Sequence, residues 1–182
     1  MAEEKKEHQF KKGDMLVSPK GIFEIIDLKE KENIEGDKQE YYVLEPRYGR
    51  RKGSLKVSFP IKNIEKVRMR KVLTEKEMDQ LLERFAEKMD HERMANTMKL
   101  RKMASSNEPK QLIDVIKTVY IYKHYMEKTS TSKNKVFKRA LRQVAQEYAC
   151  IKDVTVRTAK KRIKKQLKEG VKEAEGEQKT EE

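Results

Sequence analysis

The stretch Phe10-Lys11-Lys12-Gly13-Asp14-Met15-Leu16-Val17-Ser18-Pro19-Lys20-Gly21-Ile22-Phe23-Glu24-Ile25-Ile26-Asp27-Leu28 decides the fold class at the start of the chain. Two apolar runs, Met15–Val17 and Ile22–Leu28, are separated by Pro19-Lys20-Gly21. β-Branched and aromatic side chains suit a pleated surface, and a Pro-x-Gly between two such runs turns the chain back on itself. Three more runs follow, Tyr41–Leu44, Leu55–Phe59 and Ile64–Met69, spaced by Glu35-Gly36-Asp37 and by the segment from Gly49 to Gly53. Pro60 stands just past the fourth run, where a missing N–H costs little. Five short strands within residues 10–72 predict a small antiparallel β-barrel, since closure removes exposed edges.

At Thr74 the period changes. Thr74-x-x-Glu77 is a capping-box pattern, and Met78, Leu81, Leu82, Phe85 and Met89 follow with helical spacing. A second helix is predicted from about Glu92 to Met103, ending at Ser105-Ser106-Asn107. Pro109 opens a third, with Leu112, Ile113, Ile116, Val119 and Tyr120 inward. A fourth, after Thr129-Ser130-Thr131-Ser132, turns Phe137, Leu141, Val144 and Tyr148 inward and Lys138, Arg139 and Arg142 outward. The fifth, from about Val154 to Leu167, aligns Val156, Ala159, Ile163 and Leu167. The expected class is therefore α+β: a β domain over residues 1–72, an all-α domain over 73–168, and an acidic, disordered tail over 169–182.

The 182 residues carry a formal charge of +13, with 41% charged and 36% hydrophobic residues, which suits thin helical layers with much solvated surface. Between Thr131 and Lys168 thirteen Lys and Arg face only Glu147 and Asp153, a net +11. A polyanion suits such a segment, because phosphate contacts release condensed counterions. The single Cys150 excludes an intramolecular disulfide and is expected to be a buried structural thiol. No stretch approaches the ~20 apolar residues of a membrane span, and the charged Met1–His8 segment does not read as a signal peptide. A cytoplasmic protein is expected.

Residue patterns for catalysis are missing. His8, His91 and His124 lie far apart, no Cys-x-x-Cys occurs, and no Gly-rich phosphate loop ends in Lys-Ser/Thr. Paired acids such as Glu3-Glu4 and Glu181-Glu182 sit in polar tails, where nothing would shift their pKa. The expectation is a non-enzyme without cofactor or metal.

The ordered series Phe10-x-x-Gly13-Asp14, Pro19-x-Gly21, Glu24-Ile25-Ile26, Tyr41-Tyr42-Val43-Leu44, Phe59-Pro60 and Arg68-x-Arg70-Lys71-Val72-Leu73 resembles the polymerase-binding module of the CarD family of bacterial transcription regulators. That module also occurs inside transcription-repair coupling factors. Leu100-Arg101-Lys102-Met103-Ala104-Ser105 and Leu141-Arg142-Gln143-Val144 with Glu147-Tyr148-Ala149 extend the similarity to about Lys168. The resemblance implies a Tudor/SH3-like barrel that pairs with the RNA polymerase β subunit. It also implies a helical domain resting on promoter DNA beside the transcription bubble, so that open complexes are stabilised. On this pattern the pairing strand is Leu55-Lys56-Val57-Ser58, facing a segment that contains Lys31 and Ile34. Arg93, Lys99, Arg101, Lys102, Lys133 and Lys135 are the expected phosphate contacts, made without sequence preference by a monomer.

Two departures from the family pattern stand out. Ser58 occupies a position where many members carry a basic residue, with Lys56 one alternation away. The family's wedge Trp is also missing, since the chain has none. Its place falls near Glu92 or Arg93, and the nearest apolar residues, Met94 and Met98, are expected in the helix core. A second reading is an RNA-binding or ribosome-associated protein with an SH3-like barrel, for which Tyr122 and Tyr125 are the aromatic candidates. A helix-turn-helix over Val136 to Leu167 is a further possibility, although Ala149–Asp153 lacks the Gly usual in that turn.

Overall fold

The computed structural model describes residues 9–32, 36–49, 53–88, 96–124 and 130–176. The chain divides into two compact units, Met1–Lys71 and Val72–Glu182. The first is a five-stranded antiparallel sheet and the second is helical, an α+β protein.

In the first unit β1 (Met15–Ser18) and β2 (Gly21–Glu32) form the hairpin expected around Pro19, with Ser18 opposite Gly21. β3 (Lys38–Pro46) pairs with β2 along its length. Register shifts between Ile25 and Asp27, so Ile26 is a bulge. The bulge is decisive for the core. Phe23 and Ile25 alternate onto one face, and one extra residue puts Leu28, rather than Asp27, on that face. Leu16, Ile25, Tyr42, Leu44, Phe10 and Ile64 form the buried cluster. Tyr42 is fully buried, and its hydroxyl accepts from the Phe10 N–H at 3.2 Å and donates to the Phe10 carbonyl at 3.4 Å. Burial pushes the Tyr42 phenol up from its ordinary value.

The sheet is open rather than a closed barrel. Its order is β4-β3-β2-β1-β5, with β4 (Val57–Pro60) and β5 (Arg70–Lys71) as the two edges. The expected strand over Ile64–Met69 is the reason. Glu65–Val67 form a 3₁₀ turn instead, following another over Ile61–Asn63, and Arg68 has φ 54°. Ile61 and Ile64 are three apart, the 3₁₀ period, and both pack on the core between polar neighbours. Only Arg70 and Lys71 remain to pair with β1, so no strand bridges the two edges. Lys71 also pairs with Asp14 at 2.8 Å, and that bond holds the Asp14 carboxyl below the usual range.

In the second unit α1 (Glu75–Glu83) starts at the expected capping box. The Thr74 hydroxyl accepts from the Glu77 N–H at 3.3 Å, and the Glu77 carboxylate accepts from the Thr74 N–H at 2.8 Å. A 3₁₀ turn, Arg84–Ala86, follows and buries Phe85. α2 (Thr97–Ser105) begins later than expected, because Asn96 caps it by accepting from the Met98 and Lys99 N–H groups. Glu92, Arg93 and Met94 lie outside the described residues.

α3 (Pro109–His124) is buried on nearly every side, including Val115, Thr118 and Ile121 besides the expected face, while Tyr120 is half-buried. α4 (Thr131–Ile151) buries most positions from Ala140 to Ala149. Phe137 and Cys150 are only half-buried, a departure from both expectations. The turn after α4 uses Asp153 at φ 47° where Gly is usual, with the Val154 N–H donating to the Ala149 carbonyl.

α5 (Val156–Gly176) runs well past Leu167. Gly170, Val171 and Ala174 continue the 3–4 spacing of Ala159, Ile163 and Leu167 and are buried. The first turns of the expected disordered tail are therefore helical, because an apolar stripe persists beneath its acidic composition.

Lys117 is buried in α3. Its ammonium donates to the Glu87 carbonyl, beside Arg84, which bonds Asp114 at 3.3 Å and Glu87 at 3.0 Å. Burial lowers the Lys117 pKa from 10.5, opposed by Glu87 and Asp114. The unfolded chain keeps this proton up to 10.5 and the folded chain releases it sooner, so between the two values the unfolded state binds more protons. The contribution of Lys117 to stability should therefore improve as pH rises across that window. Urea melts of Lys117→Met should show a difference from wild type that changes with pH in this range. A constant difference would place the ammonium in a solvated setting.

Candidate functional site: a strand edge and a basic helical surface

Among the described residues β4 has one strand neighbour, β3. Val57, Ser58, Phe59 and Pro60 lie opposite Leu44, Val43, Tyr42 and Tyr41. The alternation turns Phe59 toward the core, leaves Val57 half-buried, and exposes Lys56 and Ser58. Strand pairing starts at Val57, so Leu55 and Lys56 lead into the edge rather than form part of it. Lys31, on β2, reaches across β3: its ammonium lies 5.6 Å from the Tyr41 ring centroid and 3.5 Å from the Ser58 hydroxyl. The fold thus gathers Lys31, Lys56 and Ser58 at one sheet edge, while Ile34 lies outside the described residues. A cation brought by β2 stands beside the strand position that lacks one.

Past the paired segment, β2 and β3 continue as a two-stranded ribbon in which Glu30, Lys31 and Glu32 face Glu40, Gln39 and Lys38. Lys38 bonds Glu30 at 3.2 Å, with both side chains more than half exposed. Such a pair contributes little stability.

The second surface joins α2 to the start of α4. Lys99, Arg101, Lys102 and Lys135 are exposed and Lys133 is half-buried. Arg101 donates to the Ser132 hydroxyl at 3.1 Å, which brings it to the α4 N-terminus that carries Lys133 and Lys135. Ser130 caps that terminus by accepting from the Lys133 N–H at 3.2 Å. No acid lies in the first turn of α4, so its N-terminal partial charge adds to the cations instead of being neutralised. Lys133 sits 4.4 Å from the Tyr122 ring centroid. Arg93 lies outside the described residues.

Met98 differs from its expected place. It is 78% exposed, not part of the helix core. Leu100 and Ala104 define the buried stripe of α2, and Met98, two residues before Leu100, falls on the opposite side with Arg101 and Lys102 at i+3 and i+4. The 3.6-residue period of Leu100 and Ala104 was the available signal, and pairing Met98 with Met94 concealed it.

Of the two aromatic candidates for base stacking, only Tyr122 is among the described residues. Tyr122 is half-buried with Lys133 over its ring, and the outermost ring of that helix, His124, lies 4.3 Å from Tyr120. Tyr125 is outside the described residues. A shallow groove on α1 is lined by Glu75, Lys76, Asp79, Gln80 and Glu83, and the Lys152 ammonium bonds Glu75 and, at 2.9 Å, Asp79. These bonds raise the Lys152 pKa and tie the end of α4 to α1. Among the described residues no helix is long and apolar enough to cross a membrane.

In comparisons with known proteins, no family model and no curated protein matches this chain.

Proposed function

We propose that this protein is a non-catalytic transcription regulator of the CarD type. It binds the RNA polymerase β subunit along β4 and rests on promoter DNA through the cations of α2 and α4, modulating the stability of the open complex. The observation that carries this reading is the open sheet edge at β4, with Lys56 and Ser58 outward and Lys31 drawn alongside. An exposed strand edge accepts a strand of another chain through main-chain bonds, and alternate side chains supply selectivity. The cations at α2 and α4 add a phosphate-binding surface with no apparatus for reading bases. Among the described residues, exposed Met98 beside Arg101 and Lys102 is the apolar candidate for the family's wedge role.

The test is a titration of full-length protein against polymerase or its isolated β lobe. Lys31→Glu combined with Lys56→Glu should weaken binding about tenfold or more, since reversed charge at an interface costs upwards of about 1.4 kcal/mol. Both side chains are exposed, so stability should fall by no more than about 0.5–1 kcal/mol, the cost of losing the Lys31 contact with the Tyr41 ring. Equal affinity of variant and wild type removes β4 as the docking edge. Association with ribosomal proteins that is lost on nuclease treatment, without polymerase, would favour the RNA-binding alternative.

A further inference from the structure

We infer that the outward face of α5 is a second phosphate-binding surface, which takes the backbone of duplex DNA and is separate from the α2–α4 cluster. This rests on the nucleic-acid part of the proposed function and extends it. Arg157, Lys161, Lys164 and Lys168 recur at intervals of four, three and four, opposite buried Ala159, Ile163 and Leu167. All four are exposed, and none makes an ion pair with another described residue. Lys165 stands beside them and pairs with Glu169 at 3.8 Å, where the stripe ends.

Such a stripe works against the helix that carries it. Like charges three and four apart repel, and Arg157 lies in a first turn that holds no acid, where the helix dipole already disfavours a cation. Some cations of the same unit are neutralised internally: Lys152 has Glu75 and Asp79, and Arg84 has Asp114 and Glu87. The α5 stripe has no such acid among the described residues, which leaves it available to an external anion.

The shape selects the anion. From Arg157 to Lys168 the helix advances about 16 Å, over which a duplex presents about ten phosphate charges. The exposed face from Arg157 to Lys168 carries no aromatic ring on which unpaired bases could stack, which disfavours single-stranded RNA. It carries no large apolar side chain to enter a lipid headgroup layer either, which disfavours an anionic membrane.

The experiment uses the full chain with Arg157, Lys161, Lys164 and Lys168 changed to Gln, and reads affinity for a short mixed-sequence duplex against salt. At about 0.9 per contact, the log–log slope should become shallower by about 3 to 4. The melting temperature should stay level or rise, because repulsion within α5 is relieved. A control with Lys12→Gln, Lys20→Gln and Lys62→Gln, three exposed cations of the sheet unit, should move the slope by less than one.

An unchanged slope in the α5 variant, with duplex binding lost when Lys99, Arg101, Lys102, Lys133 and Lys135 are changed to Gln, overturns this inference and leaves the proposed function standing. No duplex binding by wild type overturns both. An equal loss in the control shows net charge rather than a site. Tighter binding of wild type to single-stranded RNA or phosphatidylserine vesicles than to duplex, lost in the α5 variant, also overturns it.

Discussion

Changing Lys99, Arg101, Lys102, Lys133 and Lys135 together to Gln is expected to flatten the salt dependence of duplex binding by about 4 to 5 in log–log slope. Each phosphate contact contributes about 0.9, because each one releases condensed counterions. Five contacts correspond to a roughly 500-fold loss of affinity in wild type between about 50 and 200 mM salt, so the change is easily resolved by fluorescence anisotropy. The structure supports treating these residues as one surface, since Arg101 bonds Ser132 beside Lys133.

Lys133 also covers the Tyr122 ring, and losing that contact costs about 0.5–1 kcal/mol. Lys133→Arg keeps both charge and ring contact and should behave as wild type. Met98→Ala serves as the internal comparison. At 78% exposure it should leave slope and melting temperature unchanged. A slope shift below one in the five-residue variant would remove this surface from the DNA interface. A marked drop in melting temperature for Met98→Ala would show that its side chain is packed.

Gly170→Ala is expected to destabilise the helical unit by about 1–3 kcal/mol, the usual cost of overpacking. In an exposed helix interior the same change would stabilise by about 1 kcal/mol, because Ala loses less conformational entropy. Here a Cβ would lie 2.8 Å from the Phe85 carbonyl carbon and 2.9 Å from the Ala86 nitrogen. Those atoms are backbone, held in a 3₁₀ turn whose Phe85 side chain is itself buried. They cannot move aside as the tip of a flexible side chain could. Steric cost therefore outweighs propensity, and the melting temperature should fall by several degrees. A variant as stable as wild type would mean that α5 passes the Arg84–Ala86 turn at a greater distance.

Several features were legible before any coordinates. Thr74 and Glu77 marked the start of α1, Pro109 that of α3, and Pro19 with Gly21 the first hairpin, because caps and turns are set by side chains a few residues apart. The exposed cations of α2, α4 and α5 were likewise visible as charge off the apolar stripe. Other features were not local. A run such as Ile64–Met69 suits a strand or a 3₁₀ turn, and its state depended on which face of the β2–β3 ribbon it could cover. The tail beyond Lys168 looked disordered by composition, yet Gly170 packs against the turn at Phe85, and Val171 and Ala174 are buried.

Sequence alone determined the α+β class, the starts of α1 and α3 and the distribution of charge, since each follows from neighbours within one or two turns. Tertiary structure alone decided that the sheet stays open at β4, that Lys31 reaches Ser58, and that Arg101 meets the α4 N-terminus. Those outcomes join residues about thirty positions apart, and such contacts form only when packing of the whole unit makes up for the entropy of closing the intervening chain.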